Sequence, residues 1–261
     1  MSDWIEDLFI KHSDLFLKLL DFRWERTKDL VNGMVKVLRG FKIKSGKLLD
    51  LCCGNGRVSI HMAEKGFSAV GVDISAAFVE SARRRAIEHK ASDLAVFLEG
   101  DVRRLVEVVG SGFKPFDIVV NVWTSVGYYS KEEDLSIFKQ ARDLSREGAI
   151  LFVAETAHSE YLSLAFTPTS YMELEDVVLL ENRKYDPVKS HISSSWSFYR
   201  KVGKDLRFLD TVKIEQHVYN LNELCTLLSE AGWEAVAIYG SLATLQPRSP
   251  LSPLNIVAKA K

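Results

Sequence analysis

Three short apolar runs of this chain each end at or near an aspartate. "LLDLCC" carries Asp50, "AVGVD" ends at Asp73 and "AVFLEGD" ends at Asp101. Gly54-Asn55-Gly56 follows the first run, and a helical pattern follows the glycines. Glycine lets the backbone approach a ligand closely and take positive φ. A helix start offers N–H groups without intrahelical partners. In an open α/β sheet, ligands sit beyond the carboxyl ends of the strands. An acid in the position of Asp73 can accept hydrogen bonds from both hydroxyls of a ribose, with Ile74 beside it. An acid in the position of Asp101 can accept from an adenine amino group, with the Val102 N–H facing a ring nitrogen. Together these residues outline an adenosine site. Gly-x-Gly alone is weak evidence; three acids in step on three successive runs are much stronger.

The flanking residues narrow the ligand. A dinucleotide turn needs a third small residue, Gly or Ala, where this chain has Ser59. The Gly-Lys-Ser/Thr of a P-loop is absent. Asp50 would repel a phosphate and suits a cationic ligand. The adjacent Cys52 and Cys53 have no second pair at zinc spacing, and the six histidines are scattered, so no metal is expected. The two cysteines read as small apolar residues filling tight space where a strand turns.

The elements that position these residues follow from periodicity. Residues 3–39 read as two helices, the second ended by Gly40. Five apolar runs then alternate with helices, the fourth being "FDIVVNVW" and the fifth "AILFVAE". That alternation predicts a doubly wound α/β sheet. Ser75 stands where it can cap the helix after the second strand. Ser130 with Glu133, and Asn220 with Glu223, have capping-box spacing. From Ser159 the alternation stops. Segments 177–185, 192–202 and 206–216 read as extended, with turns at Tyr185-Asp186-Pro187 and Gly203-Lys204-Asp205. Leu206, Phe208, Val212 and Ile214 are expected on one face of the last of these. Residues 159–216 therefore form a small antiparallel sheet inserted into a domain made of 1–158 and 217–261. "EAVAIYG" and "LNIVAKA" supply two final strands, and "SLATLQPRSPLSP" between them reads as a loop.

Asp50-Leu51-Cys52-Cys53-Gly54-Asn55-Gly56 resembles the first motif of the class I S-adenosylmethionine (SAM) dependent methyltransferases, Asp/Glu-x-Gly-x-Gly-x-Gly. Cys52 stands where the family has its first glycine. The resemblance covers residues 47–148: "VGVDIS" is similar to the ribose-binding motif, "EGDV" to the adenine-binding one, and "VVNVWTSVGYY" to the fourth-strand motif that faces the methyl group. It implies a Rossmann-like, mostly parallel seven-stranded sheet with a terminal antiparallel hairpin. It also implies N-terminal helices (1–42) that lid the SAM site, and an insertion covering the methyl acceptor or meeting a dimer partner. The implied cofactor contacts are Asp50, Cys52, Gly54, Asn55, Gly56, Asp73, Ile74, Asp101, Val102, Asn121 and Trp123. Three of them have a structural reading beside the functional one: Asp50 as a brace for the glycine turn, Asp101 as an N-cap for "VRRL", and Trp123 as core. Arg23 and Arg26 read as a solvated helix face before a role toward the SAM carboxylate. Methyl transfer is an in-line displacement that needs alignment more than a universal base. No catalytic residue is fixed; His158 and Tyr128 are the candidates.

The chain has 261 residues, 47% of them hydrophobic, and a net charge of −1. That suits one large globular domain and gives no global field toward nucleic acid or an anionic membrane. Arg83-Arg84-Arg85 fans around a helix and makes no basic stripe. No run is long enough to span a bilayer, no secretory leader pattern opens the chain, and three cysteines make no disulfide framework. A cytoplasmic monomer or homodimer is expected. The leading expectation is methyl transfer to nitrogen or oxygen of a small molecule. An RNA or protein methyltransferase, an NAD(P)-dependent oxidoreductase and a non-catalytic SAM-binding protein are the rivals.

Overall fold

The computed structural model describes residues 3–261; the first two residues of the expected lid lie outside them. Short helical turns at Asp3–Glu6 and Asp7–Lys11 precede α1 (Ser13–Phe22) and α2 (Trp24–Gly40). The alternating part follows: β1 (Lys47–Leu51), α3 (Arg57–Ala63), β2 (Ser68–Asp73), α4 (Ala76–Glu88), β3 (Ala95–Glu99), β4 (Phe116–Val122), α5 (Lys131–Asp143) and β5 (Ser145–Thr156). The insertion opens with α6 (Ser159–Ala165), a helix not expected from the sequence. It continues as β6 (Thr169–Leu174), β7 (Val177–Asp186), β8 (His191–Val202) and β9 (Asp205–His217). Then α7 (Leu221–Glu230), β10 (Trp233–Ser241), β11 (Gln246–Pro247) and β12 (Leu254–Ala260) close the chain.

The main sheet runs β11-β10-β12-β5-β4-β1-β2-β3. It is the expected seven-stranded sheet plus β11, a two-residue edge strand inside the segment read as a loop. β3, β2, β1, β4 and β5 are parallel, so their carboxyl ends share one edge. β12 lies antiparallel to both β5 and β10. The strand order reverses between β1 and β4, and that is where a crevice forms. Both faces of the central strands are buried, Leu49, Leu51 and Val119 packing on one side and Leu48, Ile118 and Val120 on the other. This is why their sequences are apolar almost without interruption.

Both capping boxes form as expected: Glu133 N donates to Ser130 Oγ at 3.2 Å and Glu223 N to Asn220 Oδ1 at 2.9 Å. Ser75 does not cap. It stands at the N-cap of α4, but its hydroxyl makes no bond there, and its own N–H donates instead to Asp73 Oδ1 at 3.0 Å. The inserted sheet, β6-β7-β8-β9, corrects a second expectation. The register slips between Phe198 and Tyr199, which face Asp210 and Phe208 respectively. Such a bulge adds one residue to β9 and turns its two halves over. Val212 and Ile214 are therefore buried inside, whereas Leu206 and Phe208 are more than half exposed outside.

The N-terminal helices lie across the crevice and are tied to both sides of it. Asp21 meets Arg85 of α4 at 2.6 Å, while Lys18 meets Asp176 at 2.7 Å and His12 meets Asp210 at 2.9 Å on the inserted sheet. α2 packs at its middle on the loop after β10. A methyl group at Gly33 would stand 1.8 Å from the Leu242 carbonyl oxygen. Gly33→Ala gains up to about 1 kcal/mol of helix propensity, but overpacking costs about 1–3 kcal/mol. A lower denaturation midpoint is expected, and an unchanged or higher one contradicts this packing.

Candidate active site

The carboxyl ends of β1, β2 and β4 open into a crevice of about 710 Å³, its mouth included. Of the residues expected to hold a cofactor, Asp50, Cys52, Gly54, Asp73, Ile74, Val102 and Trp123 line it, together with Tyr128. Asp73 is buried at the end of β2. Its Oδ2 accepts the Gly54 N–H at 2.8 Å, and its Oδ1 accepts that of Ser75. Gly54 is left-handed, with φ 56°, which frees its N–H to point back at β2. Burial raises the Asp73 pKa to about 6, and the backbone donors offset part of that. Asp50 is likewise pushed up to about 7 by burial, against the Ser59 hydroxyl 2.7 Å away and the nearby Arg57. Ser59, the residue that departs from the dinucleotide pattern, is thus the donor that holds the first acid.

Other expected residues stand back from the crevice. Asn55 is wholly buried and donates to Asp21 Oδ1 at 2.8 Å, joining the glycine turn to α1. Gly56 begins α3 with φ 77°, and a methyl there would meet the Phe97 ring and Ala82. It serves close helix-to-strand packing. Asn121 donates to Ser125 Oγ at 2.7 Å, and Ser125 lines the wall. Asp101 takes the N-cap position: it accepts the Arg103 N–H and pairs with the Arg103 guanidinium at 2.6 Å.

The two base candidates have other work. His158 is buried; its Nδ1 lies 3.0 Å from Glu160 and its Nε2 2.8 Å from the Ser252 carbonyl, so it ties α6 to the closing loop. It does not line the crevice. The Tyr128 hydroxyl lies 2.5 Å from Thr124 Oγ1, and burial raises its pKa far from neutral. A phenol held so strongly protonated does not act as a base at neutral pH.

Sequence reading missed the cationic end. Arg57 is 5% exposed, lines the crevice and donates to Thr27 Oγ1 at 2.8 Å. A cation in the first turn of a helix opposes the helix dipole; that was the available signal. Arg23 is not on a solvated face. Its guanidinium stacks 4.1 Å over the Trp123 ring, and its Nε is buried without a partner among the described residues. Burial lowers its pKa to about 10.

Three adjacent strands end in left-handed residues that are not glycine: Cys52 (φ 57°) after β1, Trp123 (φ 83°) after β4 and Glu155 (φ 54°) in β5. Trp123 is held there by its N–H to the Ala154 carbonyl at 2.7 Å, and Glu155 by its N–H to Asn255 Oδ1 at 2.9 Å.

A second cavity, of about 630 Å³, lies under the inserted sheet. Trp123, Thr124 and Tyr128 line both cavities. Its roof carries Glu181, Arg183, Trp196 and Gln216. Among the described residues, no group of three or more His, Cys, Asp and Glu side chains is placed to hold a metal ion, and no helix is long and apolar enough to cross a membrane.

Residues 48–148 match the family model of a methyltransferase domain. The YqeM protein of Bacillus subtilis (strain 168), named as a methyltransferase, is 26% identical over 208 residues, 78% of this chain and 80% of that protein. The fold is shared with a S-adenosylmethionine-dependent methyltransferase from Clostridium acetobutylicum ATCC 824, at TM-score 0.75 and 14% identity over 96% of this chain and 98% of that one. It is also shared with the sugar N-methyltransferase KedS8 from Streptoalloteichus sp ATCC 53650, at TM-score 0.72 and 18% identity over 95% and 92%.

The two cysteines should respond differently to glycine. At Cys52 the left-handed backbone costs a side chain about 1–2 kcal/mol that glycine does not incur. Cys53 is buried against Gly71, and the structure assigns it no left-handed φ. Denaturation of Cys52→Gly and Cys53→Gly is expected to show the first more stable by about 1–2 kcal/mol. Equal midpoints contradict the strain assignment.

Proposed function

We propose that this chain, a class I S-adenosylmethionine-dependent methyltransferase, transfers the methyl group to a nitrogen or oxygen of a small molecule seated under the inserted sheet. The observation that carries the reading is the shared wall: Trp123, Thr124 and Tyr128 separate the cofactor crevice from the second cavity and belong to both.

The residues of the crevice fit the cofactor. Asp73 keeps lone pairs beyond those used by Gly54 and Ser75, and these suit the ribose hydroxyls. Ile74 and Val102 give an apolar slot for the adenine. Arg57 in the crevice wall suits a carboxylate, with Arg23 stacked behind on Trp123 and paired with Glu155 at 3.9 Å. Asp50 and the aromatic faces of Trp123 and Tyr128 suit a sulfonium cation. When bound, SAM supplies an electrophilic methyl group, and its sulfur keeps the bonding pair as S-adenosylhomocysteine (SAH) forms. The chain's own part is to hold the two cavities in line, to exclude water with Phe9, Phe16 and Leu20 of the N-terminal helices, and to keep the acceptor against Thr124 and Tyr128. The acceptor's proton, where it has one to lose, leaves to solvent, because the side chains at the shared wall offer no free base.

SAM binding should weaken as pH falls through about 7 and about 6, where burial places Asp50 and Asp73. The sign follows from the ionised forms: a carboxylate attracts a cation and accepts hydroxyl protons, and protonation removes both. Asp73→Asn should weaken binding about tenfold or more at neutral pH and flatten the lower limb of this profile. Titration calorimetry checks it; unchanged affinity contradicts the assignment of Asp73.

Turnover is tested by SAH release from SAM with amine, phenol and carboxylate acceptors. Acceptor-dependent release that falls in a Trp196→Ala variant while SAM affinity stays constant is expected. Release stimulated only by RNA or protein contradicts a small-molecule acceptor.

A further inference from the structure

The inner face of the inserted sheet changes character along its length. At one end Leu179, Phe198 and Val212 are buried core. Further along β7 the same face presents Glu181 and then Arg183, which pair in register with Trp196 and Ser194 of β8. A sheet that merely covered a core would continue apolar, since polar groups brought inside cost desolvation unless they are hydrogen-bonded.

The two charges are not equivalent. Glu181 is committed: one oxygen accepts the Trp196 indole N–H at 3.0 Å, and the other accepts the Ser170 hydroxyl at 2.9 Å. Arg183 is ion-paired with Glu181 but not hydrogen-bonded to it: its Nε lies 3.6 Å from Glu181 Oε2, beyond hydrogen-bond reach, and is buried without a hydrogen-bond partner among the described residues. A guanidinium stays ionised and presents five donors in a fixed fork matched to a carboxylate. Both side chains line the cavity that meets the cofactor crevice at Trp123, Thr124 and Tyr128.

We propose that the pocket under the inserted sheet selects methyl acceptors that carry a carboxylate, which Arg183 receives through its fork. Trp196, fixed by Glu181, forms the wall for the acceptor's body. This rests on the methyltransferase reading above and names the substrate class for it. A cationic acceptor fits less well, because the Arg183 charge stands beside the Glu181 carboxylate and would repel the acceptor.

The test uses the full chain loaded with SAH and three probes that share one ring: para-hydroxybenzoate, para-hydroxybenzamide and tyramine, which are anionic, neutral and cationic. Ligand-observed NMR titration gives their affinities. The benzoate should bind about tenfold or more tightly than the other two, as a charge-assisted bidentate pair implies. Arg183→Gln should abolish that preference, Arg183→Lys should keep part of it, and SAH affinity should be the same in all three proteins. Equal binding of the three probes, preference for tyramine, no binding of any, or a benzoate preference that survives Arg183→Gln overturns the proposal. Failure of the wild-type chain to bind SAH at all overturns instead the methyltransferase reading beneath it.

Discussion

The crevice end of the main sheet depends on one desolvated carboxylate. Asp73 sits at the end of β2 with 6% of its surface exposed. A carboxylate withdrawn from water so completely is costly unless donors surround it. The donors here are backbone N–H groups, from Gly54 across the turn after β1 and from Ser75 at the start of α4. Neither is free to move without exposing the charge. Asp73 therefore fixes the glycine turn, the turn fixes the start of α3, and Ser59 on α3 reaches back to Asp50. The chain of constraints runs from β2 to β1 and closes around the crevice.

The opposite wall is held by strain. Cys52, Trp123 and Glu155 take left-handed backbones at the ends of adjacent strands, a conformation that costs residues other than glycine about 1–3 kcal/mol each. Sheet hydrogen bonds and Asn255 hold them in place. The consequence for function is a rigid Trp123, clamped between β4 and β5 below and the Arg23 guanidinium above. That ring is part of the partition between the two cavities. Of the three, Trp123 stands where both cavities meet, and a ring fixed there suits a preorganised site.

Much of this was legible in the sequence, because its signals are local. Acids closing apolar runs, glycines after the first run and capping boxes at Ser130 and Asn220 each act within a few residues. What could not be read depends on tertiary packing. The bulge in β9 turned Leu206 and Phe208 outward, although their spacing matches that of Val212 and Ile214. Asp101 lies at the expected strand end, yet its carboxylate is taken by Arg103, two residues on. His158 follows the fifth strand as a base should, but its partner Ser252 comes from a loop far along the chain. Arg57 is buried by packing against the N-terminal helices, which its place in the first turn of α3 does not reveal.

The N-terminal helices and the inserted sheet meet over the crevice through Lys18–Asp176 and His12–Asp210, so the two cavities share their cover as well as their partition. In the proposed complex the cofactor's reacting end faces the pocket under the inserted sheet. A crystal structure with SAH tests it most directly. Ribose hydroxyls on Asp73 and a sulfur directed at the wall formed by Trp123, Thr124 and Tyr128 are expected. A sulfur directed away from that wall, or an adenosine bound elsewhere, would contradict it.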